Sequence, residues 1–386
     1  MTEKIIALFD CDCFFVSCEQ AENPKLRGRP VCVVTGDNGC VVSRSPEAKK
    51  MGVKMGMPMF MARQQFPQAV YLCGRHGLYR RYSEQVMATL RSLVPDVEVV
   101  SVDEAYADLT SLAAVYRKSY PELAAWIRQT IWQQNKIPVS VGLSTSKLLA
   151  KLASDKAKKS GGIFTVFADS RENVLRHTAI SEVCGIGRSH FDLLSRKGVV
   201  TAWDFVCIPD NCIRREMGLV GLEIKYELQG QYWHKLQIEP PLPQSVQDTS
   251  VLPEFTADFE LIKSQLYYHL HRACHRMRQQ GCLCRSAGIM LRSKNFAVFS
   301  DKVKLPAAFD AEKEIAAAVI PLLAKIYRFG TLYRSSGVML YDLVSRRSYQ
   351  PELFAAEQGI KSQRLSAAWD SLENKFGPDV IKVGWH

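Results

Sequence analysis

Short runs of apolar residues predict the strands of the first half of the chain. Residues 5–9 are continuously apolar and end at Asp10, as expected of a strand that is buried on both faces. Residues 97–102 and 105–109 alternate with a period of two and meet at a pair of adjacent carboxylates. Another apolar run at residues 139–143 predicts a further strand, and the stretches between these runs predict helices.

The order of these elements predicts a ferredoxin-like arrangement. Without residues 24–74 the chain runs strand, helix, strand, strand, helix, strand, which is the split βαβ unit. That topology places the end of the first strand beside the central hairpin, so we expect Asp10, Asp103 and Glu104 to converge. Three carboxylates without a nearby His or Cys pair suit a hard, oxygen-liganded cation such as Mg²⁺.

Local signals mark the start of two helices and one turn near the N-terminus. Asn38 and Gly39 form the dipeptide that is typical of a hairpin turn. Ser45 followed by Pro46 is typical of a helix N-cap and first helical position. Asp12 follows the first strand and is either the N-cap of the next helix, which we favour, or another metal ligand.

Residues 168–231 predict short helices around a glycine-rich turn that contains Gly185 and Gly187. The turn resembles a helix-hairpin-helix, in which backbone N–H groups bind a DNA phosphate; the alternative is a plain connector between helices. Proline-rich residues 232–245 predict an extended linker.

Residues 246–345 predict a compact α+β unit. Helices are expected at residues 259–279 and 311–327, with strands at 286–292, 297–304 and 336–343. Basic residues lie on or beside these strands, where one sheet face could follow a phosphate backbone or could simply be solvated. They are Arg285, Arg292, Lys294, Lys302, Lys304 and Arg334.

Composition narrows the class of protein. The chain has 386 residues, 47% of them hydrophobic, which is enough for two to four globular domains. It contains neither an apolar run of membrane-helix length nor a signal-peptide pattern, so we expect a cytoplasmic protein without a membrane partner. The net charge of +11 is compatible with a basic globular protein or with a polyanionic partner such as nucleic acid.

Twelve cysteines are scattered without a C-x-x-C pair, so small buried residues are favoured over disulfides or zinc ligands. Lysines are frequent near the predicted carboxylate site, where positive charge would assist binding of a triphosphate. The candidates, most of which could also be solvated surface residues, are Lys49, Lys50, Lys147, Lys151, Lys156, Lys158 and Lys159.

Three motifs together resemble those of the Y-family translesion DNA polymerases. They are FDCDCFF at residues 9–15 with Glu19, SVDEA at residues 101–105, and VGLS with KLLAKLASD at residues 141–155. The segment NGCVV, EAK and GVKMG within residues 38–56 resembles the UmuC type, the catalytic subunit of bacterial DNA polymerase V, more than the DinB type.

The resemblance implies an α+β multidomain fold over residues 1–345. The implied order is a ferredoxin-like palm (1–23 and 75–167), small fingers (24–74), a helical helix-hairpin-helix thumb (168–231), and an α+β little finger (246–345). The implied activity is template-directed, error-prone translesion DNA synthesis in DNA repair and the SOS response. The implied partners are primer-template DNA, a dNTP, the sliding clamp, a UmuD′-like accessory protein and a RecA filament.

The same resemblance assigns roles to individual residues. Asp10, Asp103 and Glu104, assisted by the Cys11 carbonyl, match the ligands of two Mg²⁺ ions. Four further positions are implied to bind the nucleotide. Phe14 and Phe15 belong to this set, with Phe15 as the steric gate that excludes a 2′-OH, and Lys49 and Lys158 are expected at the triphosphate.

Two departures from the family pattern concern the fingers. Pro46 stands where many members have a tyrosine, and Lys49 stands where many have an arginine, so a phenol and a bidentate guanidinium contact are missing. In the tail, residues 346–386, a stretch that we expect to be flexible resembles a sliding-clamp motif through Gln350, Leu353 and Phe354.

Two other functions remain open from the sequence. A non-catalytic, clamp-tethered DNA-binding scaffold of the same fold is opposed by the presence of all three acids. A nucleotidyl cyclase on a related palm leaves the glycine-rich turn and the basic last domain unexplained.

Overall fold

A computed structural model describes residues 3–36, 39–349 and 356–377 of the chain. The chain divides into two compact units, Met1–Pro240 and Pro241–His386. Among the described residues, no helix is both long enough and apolar enough to cross a membrane.

The first unit begins with a mixture of strands and helices and ends in helices alone. Its elements are β1 (Ile6–Cys11), α1 (Phe14–Glu22), β2 (Val31–Val34), β3 (Val41–Arg44), α2 (Pro46–Lys50), α3 (Met59–Gln65), β4 (Val70–Cys73), α4 (His76–Leu93), β5 (Val97–Val99), β6 (Glu104–Asp108), α5 (Leu112–Tyr116), α6 (Tyr120–Asn135), β7 (Val139–Ser144), α7 (Lys147–Ala157), β8 (Ile163–Val166), α8 (Ala168–Arg176), α9 (Arg188–Arg196), α10 (Ala202–Cys207) and α11 (Asp210–Leu228).

A five-stranded sheet with the order β5-β6-β1-β7-β8 forms the centre of this unit. The first four strands pair antiparallel in the order of the predicted ferredoxin-like unit, and β8 adds a fifth strand parallel to β7. The predicted topology is therefore present, with one additional edge strand.

Both faces of β1 are covered, as its continuous apolar run predicts. Ala7 and Phe9 share a core with α4 and α6, whereas Ile6 and Leu8 pack against α7 on the other face. Gly142 of β7 permits this second contact, because a Cβ atom there would lie 2.1 Å from the Ala150 carbonyl oxygen. The position of α7 over the sheet therefore depends on a missing side chain.

Residues 31–73 form a separate three-stranded sheet with the order β3-β2-β4. The predicted hairpin joins β2 to β3, although Asn38 lies outside the described residues. The predicted helix start is confirmed, because the Ser45 hydroxyl accepts a hydrogen bond from the Ala48 N–H at 3.2 Å, with Pro46 at the first helical position.

The predicted linker is partly packed against the first unit. Tyr232 and Leu236 contact the core around Leu8, and the Gln237 N–H donates to Glu98 at 2.8 Å. The boundary between the two compact units, after Pro240, lies within the predicted linker, and an extended segment with prolines can still bury one or two side chains against a sheet.

The second unit is a four-stranded antiparallel sheet with helices on one face. The sheet order is β11-β10-β12-β9. Its elements are β9 (Ser245–Thr256), α12 (Phe259–Gln279), β10 (Cys282–Ser293), β11 (Val298–Phe309), α13 (Glu312–Val319), α14 (Leu322–Ile326), β12 (Tyr333–Ser345) and α15 (Ala356–Phe376).

The sequence prediction for this unit is correct for α12 and for three of its strands. It missed β9, because the next inward-facing residue after Val246 is charged. This residue, Asp248, is buried and contacts His269 at 2.6 Å. It also joined α13 and α14 into one helix, although Pro321 separates them.

All twelve cysteines are unpaired thiols. Six are buried, as the composition suggested, whereas Cys73, Cys184 and Cys207 are exposed. For those three cysteines the expectation of small core residues is wrong.

The C-terminal helix α15 packs against α12 through a buried network of charges. His271 contacts Glu312 at 2.9 Å through Nδ1 and Glu373 at 2.7 Å through Nε2. Arg278 pairs with Asp370 at 2.7 Å. An imidazole that serves two carboxylates must donate from both nitrogens, so His271 is positively charged in this arrangement. The stretch that we expect to be flexible, residues 350–354, lies outside the described residues, whereas this helix packs onto α12.

We expect the packing of α15 to weaken as the pH rises. Burial lowers the pKa of His271, but the hydrogen bonds and charges of Glu312 and Glu373 outweigh it and raise that pKa above its usual 6.5. A raised pKa in the folded state contributes stability below pH 6.5 that is lost as the pH rises through the folded-state value. Trp369, whose ring centroid lies 4.6 Å from that of His271, provides the signal.

The measurement is the fluorescence of Trp369 from pH 6 to pH 9, isolated by subtracting the spectrum of a Trp369→Phe variant. The emission should shift to the red as the helix detaches. A His271→Arg variant keeps its charge over this range, and an equal shift in that variant would contradict the assignment.

Candidate active site and nucleic-acid interface

The pairing of β1 with β6 brings two of the predicted carboxylates together. Asp10 lies opposite Glu104 in the register of these strands. The Cys11 N–H donates to the carbonyl oxygen of Asp103 at 2.8 Å, which fixes the hairpin against the end of β1. Residues about ninety positions apart thus meet because the central strand pairs with this hairpin.

Two lysines of the α7 region neutralise this pair. The Lys151 ammonium lies 3.1 Å from Asp10 and also contacts Glu104, and the Lys158 ammonium lies 2.9 Å from Asp10. Burial lowers the pKa of Lys151, but its hydrogen bond to Glu104 and the charge of Asp10 outweigh this and raise the pKa overall. Both lysines are therefore cationic, and they compensate a carboxylate at Asp10 that is only 5% exposed.

Asp103 has a different partner from the other two acids. Its carboxylate accepts a hydrogen bond from the Ser101 hydroxyl within the hairpin. Among the described residues, no three His, Cys, Asp or Glu side chains already surround one point as metal ligands. The structure therefore brings Asp10 and Glu104 to a common lysine and Asp103 to the same cleft as Asp10.

This cleft has a volume of about 260 Å³ and opens beside the end of β1. Its lining combines acidic groups, cations and aromatic rings, which suits a ligand that carries both phosphates and a flat or apolar part. The sequence-predicted residues that line it are Asp10, Cys11, Phe14, Phe15, Lys49, Asp103 and Lys158.

The two adjacent phenylalanines differ in their surroundings. Phe14 is 4% exposed and belongs mainly to the core, although it reaches the wall of the cleft. Phe15 is half-buried, and its ring stacks on Tyr79 with 4.6 Å between the ring centroids. Phe15 is therefore the aromatic side chain that presents a supported ring to the cleft.

The expectation that Asp12 caps α1 is wrong. Cys13 occupies the N-cap position in a left-handed conformation, with φ of 48°. The Asp12 carboxylate instead accepts a hydrogen bond from the Ser140 hydroxyl of β7 at 2.8 Å. Burial raises the pKa of Asp12, and the Ser140 hydrogen bond opposes this effect. The pairing of β1 with β7, which places Asp12 beside this strand, decided the outcome.

Sequence reasoning missed Arg44, which lines the same cleft. It lies at the end of β3, and its guanidinium donates to the carbonyl oxygen of Val53. Its one sequence signal is that a cation ends a short strand that begins with two valines. Lys147, one of the predicted lysines, instead pairs with Glu98 and lies 5.4 Å from the Tyr106 ring centroid.

The predicted helix-hairpin-helix turn is exposed at its glycines. Gly185 has φ of 93°, and Gly187 is the N-cap of α9. Val183, before the glycines, and Ile186, between them, are buried and hold the turn against the helical core. Before the turn the chain forms only a 3₁₀ turn, Ile180–Glu182, instead of the first α-helix of such a motif.

Three of the predicted basic residues lie on the open face of the second sheet. Lys302 pairs with Gly288, Lys304 with Ser286, and two-residue periodicity places Arg292 on that face too. Alternate residues of β10, such as Ile289, are buried in the core. The face that is not covered by helices is therefore basic.

The other three predicted basic residues lie at the margins of this sheet. Arg285 is exposed at a bulge in β10. Lys294 lies 5.5 Å from the Phe255 ring centroid, and Arg334 lies 4.8 Å from that of Phe296. The predicted clamp motif, Gln350, Leu353 and Phe354, lies outside the described residues.

Two family models match the chain. The impB/mucB/samB family model matches residues 9–155, and the model of the impB/mucB/samB family C-terminal domain matches residues 243–353. Protein UmuC of Salmonella typhimurium is 31% identical over 98% of this chain and 92% of its own length. DNA polymerase IV of Desulfatibacillum aliphaticivorans is 30% identical over 99% of this chain and 96% of its own length.

Solved structures with the same fold are Y-family DNA polymerases. A Y-family DNA polymerase chimera of Dbh and Dpo4 has a TM-score of 0.75 at 25% identity, covering 88% of this chain and 99% of that chain. The insertion ternary complex of Dbh DNA polymerase has a TM-score of 0.60 with the same identity and coverage. The predicted multidomain α+β fold class is thereby confirmed.

Removing the Lys151 ammonium should destabilise the protein and strengthen the binding of Mg²⁺ that the sequence predicts at these carboxylates. A Lys151→Met variant leaves Asp10 and Glu104 less compensated, at a cost of about 1–3 kcal/mol in the free energy of unfolding. A metal ion that uses the same oxygens no longer competes with this lysine, so the melting temperature should rise more on adding Mg²⁺ than it does in the parent protein.

The measurement is thermal unfolding in EDTA and across a Mg²⁺ titration. Lys325→Met, at an exposed position of the second unit, is the control for loss of a lysine. Equal metal-induced shifts in the parent and in Lys151→Met would show that the lysine and the metal do not share these carboxylates.

Proposed function

The chain belongs to the impB/mucB/samB family and is a Y-family DNA polymerase of the UmuC type; from this premise we propose that it extends primers opposite damaged templates. The observation that carries the proposal is the single cleft that joins Asp10 and Asp103 to Phe15 and to the cations Lys49 and Lys158. Phosphates, a sugar and an acid-bound metal can all be accommodated in that arrangement.

Two Mg²⁺ ions are the proposed cofactor, held by Asp10, Asp103 and Glu104 with the Cys11 carbonyl. The donor set fits this ion, because Mg²⁺ prefers oxygen ligands and takes few of them from protein. When bound, the ions stabilise the attacking and leaving oxygens of an in-line phosphoryl displacement. Lys151 already contacts Asp10 and Glu104, and Lys158 contacts Asp10, so the two lysines balance part of the negative charge of the site before substrates arrive.

The cations of the cleft are proposed to bind the triphosphate of the incoming dNTP. Lys49 and Lys158 each supply a point charge, whereas Arg44 supplies a planar guanidinium with several donors. Arg44 therefore offers the contact that the lysine at position 49 cannot make. Phe15 is proposed to pack against the sugar and to exclude a ribose 2′-OH.

The basic open face of the second sheet and the turn at Gly185 and Gly187 are proposed to bind the phosphates of primer-template DNA. Phosphate contacts of this kind release counterions, so affinity should fall steeply with salt. In this proposal residues 1–23 and 75–167 are the palm, 24–74 the fingers, 168–231 the thumb, 232–245 the linker and 246–345 the little finger.

The biological setting is proposed from the same family. The synthesis is error-prone and belongs to the SOS response, and it takes place in the cytoplasm. Partners are the sliding clamp, through Gln350, Leu353 and Phe354, a UmuD′-like accessory protein and a RecA filament. A non-catalytic, clamp-tethered scaffold is the second candidate, and it differs in needing none of the acids.

Replacing a proposed metal ligand should abolish primer extension. Asp103→Ala and Glu104→Ala should each lower the extension rate by about 100-fold or more, the usual scale for losing electrostatic stabilisation of a transition state. Extension of a labelled primer on an undamaged template measures this. Glu172→Ala, which removes an exposed acid from α8, is the control. Substantial extension by both variants would contradict the metal assignment, whereas no extension by the parent protein would favour the scaffold.

Removing the Arg44 guanidinium should raise the KM for dNTP by about 10-fold or more, since a charged hydrogen bond is worth about 1.5–3 kcal/mol. Arg44→Lys keeps a donor for the Val53 carbonyl and should recover part of the loss. Arg63→Ala, whose guanidinium lies 6.0 Å from the Tyr71 ring centroid in the same subdomain, is the control. Steady-state kinetics in which only kcat falls would contradict the triphosphate contact.

A further inference from the structure

Tyr79 of α4 supports the ring of Phe15 from behind. The two rings stack with an angle of 22° between their planes, and Tyr79 is only 2% exposed. Phe15 also lines the cleft. The plane of Phe15 in the cleft is therefore set by the plane of a buried tyrosine.

Tyr79 is in turn held by a buried acid. Its hydroxyl donates to Oε1 of Glu19 at 2.8 Å, and Glu19 is 4% exposed on α1, four residues after Phe15. Oε1 of Glu19 also accepts from Nε of Arg75 at 3.0 Å, and its second oxygen contacts the same guanidinium. The acid thus ties the start of α4 to the helix that carries Phe15.

The protonation states of Tyr79 and Arg75 keep both side chains as hydrogen-bond donors to Glu19. Burial, reinforced by the neighbouring Glu19, raises the pKa of Tyr79, so its hydroxyl remains a donor. The hydrogen bond to Glu19 raises the pKa of Arg75, which remains charged. A buried carboxylate with three donors from two side chains has little freedom to rotate.

We propose that Glu19 is a positioning residue for sugar discrimination, which acts by fixing Tyr79 and through it the plane of Phe15. The inference rests on the proposed function of Phe15 as the steric gate. Excluding a single hydroxyl oxygen requires a wall that does not yield, because a small displacement of the ring makes room for the 2′-OH. Phe15 is half-buried, so this rigidity has to come from its neighbour.

The chain contains a matched control for this network on the same two helices. Tyr82 donates to Glu22 at 3.0 Å, and Arg81 pairs with Glu22 at 2.6 Å. Its tyrosine and its glutamate each lie three residues after those of the first set, its arginine lies six residues after Arg75, and the set is more exposed. It links α1 to α4 in the same way, but its acid is seven residues from Phe15 instead of four.

The experiment measures the ratio of ribonucleotide to deoxyribonucleotide incorporation, as kcat/KM for a single templated addition. The parent is compared with Tyr79→Phe, Tyr79→Leu, Glu19→Ala, Glu19→Gln, Tyr82→Phe and Phe15→Ala. Tyr79→Phe removes only the hydroxyl and should raise the ratio by about fivefold, the factor expected for one net hydrogen bond. Tyr79→Leu removes the supporting ring and should raise it further.

The glutamate variants distinguish positioning from general destabilisation. Glu19→Gln still accepts from the Tyr79 hydroxyl and should keep the ratio closer to the parent than Glu19→Ala does. A purely structural effect lowers kcat/KM for both nucleotides together and leaves the ratio unchanged. Tyr82→Phe should have no effect on the ratio.

The Phe15 and Tyr79 variants distinguish the positioning role of Glu19 from the gate role of Phe15. If Phe15→Ala raises the ratio but Tyr79→Phe and Tyr79→Leu leave it unchanged, the positioning role of Glu19 is wrong and the gate role of Phe15 stands. If Phe15→Ala leaves the ratio unchanged, the gate assignment itself fails, and the inference fails with it. Thermal unfolding verifies that Tyr79→Phe, which conserves volume, is folded.

Discussion

A carboxylate buried at the end of the central strand is the constraint on which the active-site region depends. Asp10 lies near the end of a strand that is covered on both faces and is only 5% exposed, so water solvates its charge poorly and nearby cations compensate it. Lys151 of α7 and Lys158, the residue that follows this helix, do so, and α7 can approach the sheet because Gly142 has no side chain. Strand burial, helix packing and site charge are thus parts of one arrangement.

The same requirement explains why the cleft is mixed in character. The acids on the hairpin and on β1 favour a metal, and the cations that compensate them are already within reach of phosphates. The aromatic wall needs support of another kind, because a half-buried ring has no charge partner to orient it. Phe15 obtains this support from a stacked tyrosine, which is itself fixed by an ion pair.

In the second unit, one face of the sheet forms the core and the other face is an open basic surface. Residues that face the helices are apolar and form the core, while the alternate residues of β10 and β11 present basic side chains to the open face. The helix α15 contributes differently, since its Glu373 and Asp370 pair with His271 and Arg278 of α12. Such a contact is sensitive to protonation in a way that an apolar contact is not.

Local patterns in the sequence determined the elements and much of the candidate site. The apolar run of β1, the Ser45 cap, the limits of α12 and the alternation of Lys302 and Lys304 all depend on near neighbours in the chain. The topology inferred from their order was sufficient to bring Asp10 to Glu104. Only the tertiary structure decided which distant groups pair: Asp12 with Ser140, Asp248 with His269, and Arg44 with the cleft. The physical reason is that backbone preference and periodicity are short-range properties, whereas the partner of a buried polar side chain depends on how separate elements pack.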